Sequence, residues 1–550
     1  MNKIKIASSW SGHDCSFSIM EDGKPVIHCE LERFNKEKEA NGDGVKFLFD
    51  HYKDTQDIKH YATTYPLIKS TQYQESWGKM MDIIKNNNGQ VHFVGHHKSH
   101  CANAFYSSNF DEAIVISFDG GGVEDEYGSV TACSIYHGKG NKLEHIETLS
   151  ITQINIGAIF TKCTRYIHLL DSGHPKGSQT GSVMSLAGYG DPNRFKADFL
   201  NMLTHDLSLA VHKPVGQPLG AYDKEKEVKH PYLDKWARLA RENPQNEYDL
   251  AAGLQSATEE IIRQIIDHAI GKIPNVKNLC LSGGVSLNCS AMGKIPLWFP
   301  EIGTNIYIPP IPGDAGLCLG ASQYVYHHIL NNPRVVWNKA FTSFLGKKYS
   351  KNEMVETCSK YETDVEFKYA NDEDVVKLLE QQKIISVYNG RAESGKRALG
   401  NRSIICDPRN PQMKDLINQK VKHRQFYRPV SPSVLEEDVD LWFEYNIPNP
   451  YMSFAIPYRE EMKNKVPSIV HKDGTGRFQT IYKETNEWYY NFVKLWKDRT
   501  GIGIIANTSY NSSTPVVEDV NDALETFLRT ELDYVYFPEI KMLASKKIKF

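Results

Sequence analysis

Residues 112–122 read EAIVISFDGGG. An apolar, β-branched run leads straight into Asp119 and three glycines, the pattern of a buried strand ending in a turn. Glycines at such a position let backbone approach a ligand closely. Two other stretches repeat the design: KIKIASSW at 3–10 breaks at Ser11-Gly12, and VKNLCLSGGVSLNC at 276–289 runs through Gly283-Gly284 toward a helix. Hairpins are expected around the turn Glu21-Asp22-Gly23-Lys24, with PVIHCELERF (25–34) as the returning strand, and over TACSIYHGKGNKLEHIETLS (131–150). Helical patterns lie between, notably YDLAAGLQSATEEIIRQIIDHAIGKI (248–273). Strand-to-glycine turns recurring between helices predict an α/β domain whose loops handle phosphate or nucleotide.

Outward from that core, 550 residues exceed one ordinary hydrophobic core, so two domains are expected. The stretch 328–353, HILNNPRVVWNKAFTSFLGKKYSKNE, is rich in turn formers and lysine and marks the boundary, giving domains 1–345 and 346–550. Beyond it, 372–404 read as helix, strand and a basic, glycine-punctuated loop, a second α/β or α+β unit. Charged residues at 24% and hydrophobic ones at 40% describe a globular protein, and a net charge of -3 gives no global case for nucleic-acid binding. Neither a signal peptide nor a bilayer-crossing run is visible. Ten scattered cysteines without a C-x-x-C pair read as reduced, buried thiols of a cytoplasmic protein, Cys15 and Cys289 included.

GHHKSHCANAFYSS (95–108) carries the sharpest chemical signal. On a helix, His96 and His100 share one face and reach one ion, while His97 points elsewhere; the plain alternative is a histidine-rich helix start. No H-E-x-x-H glutamate is present, which removes the zinc-protease reading. Asp119 and Asp314 (in PPIPGDAGLCLGA) stand in turns and could complete a ligand set, or serve as Asx-turn or N-cap residues. His13 in SGHDCS could take a proton from a hydroxyl, or be a turn histidine. The second domain holds the densest cationic run: Arg391, Lys396, Arg397 and Arg402, then Lys420, Lys422, Arg424 and Arg428. Guanidinium forks among glycines 390, 395 and 400 suit phosphate, although a charge run is often only a solvated face. Polar loops after strands are expected at HKDGTGRFQ (His471, Arg477) and IIANTSYN (Asn507, Ser509, Asn511).

GHDCS, ELERFNKEK, HHKSHCANAFY, FDGGG, LSGGVSLN, PGDAGLCLGA, GRAESGKRALGNRSI, YRPVSPSV and ANTSYN follow the order of the NodU/CmcH-type O-carbamoyltransferases. The chain resembles that family over nearly its whole length, most specifically in the histidine helix and in GxRALGNRS. The resemblance implies an N-terminal domain of the actin/sugar-kinase type, similar to the threonylcarbamoyl-transfer proteins, and a C-terminal YrdC-like α/β domain that forms carbamoyl-adenylate. Carried over, the metal ligands become His96, His100, Asp119 and Asp314, holding Fe2+ in most members, with Mn2+ or Mg2+ as alternatives. His13 becomes the general base, and Lys38 a catalytic contact to nucleotide or carbamoyl-adenylate. Gly120, Gly121, Gly283, Gly284 and Asn288 would border the nucleotide, and Arg397, Lys422, Arg428, Arg477 and Asn507 would hold carbamoyl phosphate and ATP.

The implied acceptor is a hydroxyl, on a sugar or other metabolite or on a hydroxymethylated pyrimidine in nucleotide or DNA; nucleic acid is not indicated by the charge, no membrane is implied, and a homodimer stays open. Two departures stand out: the family's G-P-R-A-L-G reads Gly395-Lys396-Arg397 here, and G-K-x-M-G-L-A-P-Y-G reads GSVMSLAGYG at 181–190, with Ser182, Ser185 and Gly188 in changed places. That segment is expected beside the acceptor. A small-molecule kinase and a catalytically silent nucleotide-binding protein are the competing readings, the first leaving the histidine pair without work.

Overall fold

Strand β1 (Lys5–Trp10) is buried along its whole length, as a strand covered on both faces must be. It heads a meander with β2 (Ser16–Glu21) and β3 (Lys24–Glu30), then pairs in parallel with β4 (His60–Thr64), which pairs in parallel with β5 (Gln90–Val94). The sheet order is β3-β2-β1-β4-β5. A second sheet is built from β6 (Glu112–Val123), β7 (Val130–Lys139), β8 (Lys142–Ser150), β9 (Leu279–Ser282) and β10 (Ile306–Tyr307), in the order β10-β9-β6-β7-β8. Read from the meander end, the two orders are identical, with β6 in the place of β1 and parallel β9 in that of β4. This duplicated α/β unit is the actin/sugar-kinase arrangement that the resemblance implies. The structure, a computed structural model, describes residues 3–65, 74–151, 153–167, 180–204 and 231–547.

The chain forms two compact units, Met1–Val26 with Glu39–Phe341, and Ile27–Lys38 with Thr342–Phe550. A linear cut after residue 345 leaves out the excursion Ile27–Lys38, which groups with the second unit. In that unit β11 (Val365–Tyr369), β12 (Ile385–Tyr388), β13 (Arg402–Cys406) and β14 (Ser431–Leu435) are followed by a separate ribbon of β15 (Ile456–Pro457) and β16 (Thr475–Gly476). With β17 (Gln479–Ile481), β18 (Ile504–Ser509), β19 (Tyr534–Phe537) and β20 (Met542–Lys546), the main sheet runs β11-β20-β19-β12-β13-β18-β14-β17. Helices Asp372–Glu380 and Glu487–Thr500 lay Val375, Val376, Leu379, Phe492, Val493 and Trp496 on it, forming an α/β core.

Three local expectations change. The Asp-Gly-Gly-Gly stretch does not end its strand: β6 bulges between Phe118 and Gly122, then rejoins β7 opposite Thr131 and Val130. A bulge frees backbone from the ladder and re-aims a side chain, here Asp119. The strand expected through Phe34 stops at Glu30, and Leu31–Asn35 form a short helix. Asn507 lies within β18, not in a loop after it. All ten cysteines are buried and unpaired by disulfide. Among the described residues, no helix is long and apolar enough to cross a membrane.

Candidate metal centre and anion site

Helix His96–Ser107 follows β5 directly and is buried along almost its entire length. Gly95 at its start offers no capping side chain, and Glu124, just past the β6 bulge, accepts from the N–H groups of His97 (2.8 Å) and Lys98 (3.2 Å) instead. Gly122 makes room for the first imidazole, because a Cβ there would stand 2.0 Å from His96 Cγ. Helix Leu317–Tyr324, which follows Asp314, lies so close that a Cβ on Gly320 would meet Ser99 O at 1.9 Å. Two small residues and one carboxylate thus bring three chain segments to one point.

At that point His96, His100, Asp119 and Asp314 present donor atoms all within 4.8 Å of one another. His100 Nε2 lies 2.9 Å from Asp119 Oδ2 and 3.4 Å from Asp314 Oδ1, and His96 Nε2 lies 3.8 and 3.6 Å from the same oxygens. Two imidazole nitrogens with two carboxylates form a donor set suited to a first-row divalent ion. Among the described residues His100 Nδ1, which is buried, has no hydrogen-bond partner, so Nε2 is its working nitrogen. Burial opposes a charge on His100, but Asp119 and Asp314 outweigh it and push its pKa up to about 9. Burial likewise raises Asp119, and His100 and His96 more than reverse this, holding its carboxyl well below the usual range. His97 points away, between Ser117 Oγ (2.6 Å) and Thr131 O (3.0 Å); burial, with His96 and His100 beside it, lowers it to about 3, so it is a neutral packing residue.

His13 shares this carboxylate: its Nε2 stands 3.2 Å from Asp314 Oδ2 and its Nδ1 3.2 Å from Asp14 Oδ2. Burial opposes its charge, yet Asp314 and Asp14 raise it to about 9. Trp10 donates to His13 O (2.7 Å) and packs edge-on to His96. The glycine loops border the same aspartate. Gly120 N and Gly284 N donate to Asp119 at 2.5 and 3.2 Å, and Gly283, at φ +86, comes so near that a Cβ would sit 2.0 Å from Phe118 O. Gly121 holds the bulge at φ +132. Asn288 caps helix Cys289–Trp298 through Ala291 N and exchanges two 2.9 Å hydrogen bonds with Gln255. The divergent segment 181–190 forms the end of helix Thr180–Leu186 and the turn Ala187–Tyr189.

The second unit gathers a different set. Lys422 is buried and its ammonium donates to Ser509 O (2.6 Å), Ser509 Oγ (3.1 Å), Asn511 O (3.0 Å) and Asn511 Oδ1 (2.5 Å). Burial lowers its pKa well below 10.5, and Arg424, Lys38 and Arg428 lower it further. Arg424 is also depressed, by burial and then by Arg428 and Arg477, and Arg428 by burial, with Arg477 adding. Lys38, expected as a contact to nucleotide or carbamoyl-adenylate, acts electrostatically on this cluster. Arg477 donates to Ser431 Oγ (2.9 Å), while its buried Nε and the buried Oδ1 of Asn507 have no hydrogen-bond partner among the described residues.

The loop carrying Arg397 is pinned beside these strands. Glu393 accepts from Leu399 N (2.7 Å) and Asn401 N (2.8 Å), Asn507 Nδ2 donates to Ala398 O (3.2 Å), and Gln479 to Leu399 O (3.0 Å). The basic run divides here. Arg391 spends its donors on Gly346 O and Leu345 O, both at 2.6 Å. Arg402 lies 3.6 Å from the Tyr388 ring centroid and donates to Asn389 O and Glu518 O. These two guanidiniums hold backbone. Arg424, Glu124 and Glu393 carry no assignment from the sequence; only the arginine's place in a basic run signalled it.

Two family models match the chain: the carbamoyltransferase N-terminus over residues 67–323 and the carbamoyltransferase C-terminus over 376–543. A Synechocystis protein named only as uncharacterised is 34% identical over 481 residues, covering 80% of this chain and 74% of that one. Nodulation protein NolNO of Sinorhizobium fredii is 30% identical over 564 residues, covering 95% and 77%. Among solved structures, full-length HypF in its phosphate- and nucleotide-bound form aligns with 61% of this chain and 48% of its own, at 13% identity and a TM-score of 0.34.

Proposed function

The chain belongs to the carbamoyltransferase family and is a transferase, and from that premise we propose that it carbamoylates an acceptor hydroxyl using carbamoyl phosphate and ATP by way of carbamoyl-adenylate. The observation that carries the reading is Asp314, one carboxylate shared between a four-donor cluster and His13. Such sharing puts a proton acceptor against the place where a carbonyl would be polarised.

In the second unit, carbamoyl phosphate, ATP and water give carbamoyl-adenylate, phosphate and pyrophosphate. Lys38, Arg397, Lys422, Arg424, Arg428 and Arg477 offset the repulsion between two polyanions; a cluster whose neighbours are cations gains most from an anion. In the first unit the acceptor oxygen attacks the carbamoyl carbon. Its proton passes to His13 Nε2, which accepts it only as the neutral imidazole. That form would be favoured once a bound ion drew on the Asp314 carboxylate that otherwise holds His13 charged. The bond from carbon to the AMP phosphate oxygen breaks, and AMP leaves. Proton removal of this kind contributes roughly 10²–10⁴-fold. When bound, a divalent ion (iron in most of the family, or manganese or magnesium) polarises the carbonyl, an effect worth several kcal/mol. Gly120, Gly121, Gly283 and Gly284 keep side chains out of the nucleotide's way, and Asn288 holds the helix start beside them. The acceptor is a hydroxyl on a sugar, another metabolite or a hydroxymethylated pyrimidine.

One paired experiment tests this. With ATP, carbamoyl phosphate and a panel of hydroxylated acceptors, His13→Ala should still release pyrophosphate while the carbamoyl mass increment on the acceptor disappears. Arg397→Ala should lose both. Equal loss of the two half-reactions in His13→Ala would refute its role, and ADP instead of AMP plus pyrophosphate would establish a kinase.

A further inference from the structure

The motif ELERFNKEK lies in the excursion Ile27–Lys38, yet apart from Lys38 the reaction above gives it nothing to do. Its first and fourth residues meet the N–H and the C=O of one residue of the basic loop. Gly395 N donates to Glu30 Oε1 at 2.5 Å, and Gly395 O accepts from Arg33 Nη2 at 2.7 Å. Both side chains are buried, at 4% and 3% exposure, and Arg33 Nε lies 3.8 Å from Glu30 Oε2. Gly395 itself sits at φ +93, which glycine adopts without strain but can also leave freely, so the hydrogen bonds around it decide how the loop is set. Arg397 is two residues on. Past it, Ala398, Leu399 and Asn401 are fixed by Asn507, Gln479 and Glu393.

We infer that Glu30 and Arg33 are positioning residues for the activation half-reaction: they hold Gly395 through its N–H and its C=O, fixing the two peptide groups either side of its Cα, and so aim Arg397 at the transferred anion. The inference rests on the second-unit chemistry proposed above. A buried pair of opposite charges is costly to keep unless it does something that packing cannot. Here it supplies two directional hydrogen bonds to Gly395, which lies outside the described strands. The pair also explains why the excursion belongs to the second unit, since the loop's N-terminal anchor comes from residues 30 and 33 and its C-terminal anchors from the sheet. Neither residue touches the reacting atoms; both act through Arg397.

The test uses the full chain and pyrophosphate release from ATP with carbamoyl phosphate. Glu30→Asp keeps the charge but withdraws the acceptor by about 1.5 Å, and misplacement of that order costs up to about 100-fold; a loss of at least tenfold is expected. Glu30→Gln, which keeps an oxygen at the same reach, should lose less. The decisive readout is coupling: in an Arg397→Ala background, Glu30→Asp should cause no further loss, because its effect passes through the missing guanidinium. Should Glu30→Asp lower the melting temperature, Arg33→Lys replaces it in the same cycle. Additive losses, or normal release by both single variants while Arg397→Ala is impaired, would overturn the clamp alone. Normal release by Arg397→Ala itself would sink the underlying activation reading instead.

Discussion

The two clusters obey opposite electrostatics. Around Asp119 and Asp314, unlike groups neighbour one another: His100 is pushed up to about 9 while Asp119 is held well below its usual value. Around Lys422, like groups neighbour one another, and Lys422, Arg424 and Arg428 are all depressed, burial first and mutual repulsion second. The first pocket is held together by its own charges. The second is held by uncharged scaffold, through the four oxygens on Lys422, Asn418 Oδ1 and Pro429 O on Arg424, and Ser431 Oγ on Arg477. One site is therefore preassembled by attraction, the other assembled against repulsion, and their ligands should act on stability differently.

The largest effect that can break this contrast is loss of metal. His100→Ala removes a proposed ligand and also the 2.9 Å partner of Asp119. Losing a ligand should exceed the roughly 10–100-fold cost of losing an outer partner. Purified, metal-loaded and dialysed protein should fall from near one equivalent of divalent ion to a small fraction by elemental analysis, while pyrophosphate release continues. Unchanged metal content would exclude His100 as a ligand and remove one side of the comparison.

How far the sequence led differs between the sites for the same reason. The i, i+4 spacing of His96 and His100 is a property of one helix, so local periodicity makes the pair legible, and strand-to-glycine turns made the α/β class legible too. What brings Asp314 to that helix is the closeness allowed by Gly320, a tertiary fact with no local pattern. In the second unit, local density misled. Arg391, Arg397 and Arg402 look equivalent in a basic run, yet Arg391 and Arg402 hold carbonyls. A nine-residue motif carries no sign of which core its neighbours join, so a linear boundary puts Lys38 with the first domain although it groups with the second unit. The bulge in β6 was read as a turn because glycines permit both.

A smaller effect sharpens the other side. Inorganic phosphate, as a probe, should stabilise the chain by binding the repelling cations, about 2.7 kcal/mol when present at 100 times its dissociation constant. The melting temperature should climb with phosphate, and added neutral salt should weaken the response. Arg428→Gln should cut the phosphate-induced shift by half or more, since its guanidinium is one of the charges acting on both Lys422 and Arg424. A parent melting temperature indifferent to phosphate would show that the cluster does not take anions.

The smallest effect concerns pH. Lys422 is depressed well below 10.5 on folding, so between that lowered value and 10.5 the unfolded chain binds the extra proton. Stability must then rise with pH across the window, levelling off above the unfolded value. Lys422→Met lacks that proton and should show a flatter dependence of its urea midpoint between neutrality and about pH 10. The variant also strands the oxygens of Ser509 and Asn511, which lowers its stability at every pH but not the slope. Tyrosines and cysteines titrate in both chains and cancel in the difference. Saturating phosphate should flatten the parent's curve toward that of the variant, because a bound anion restores the charged lysine; parallel slopes without phosphate would mean that neither burial nor its cationic neighbours depress Lys422.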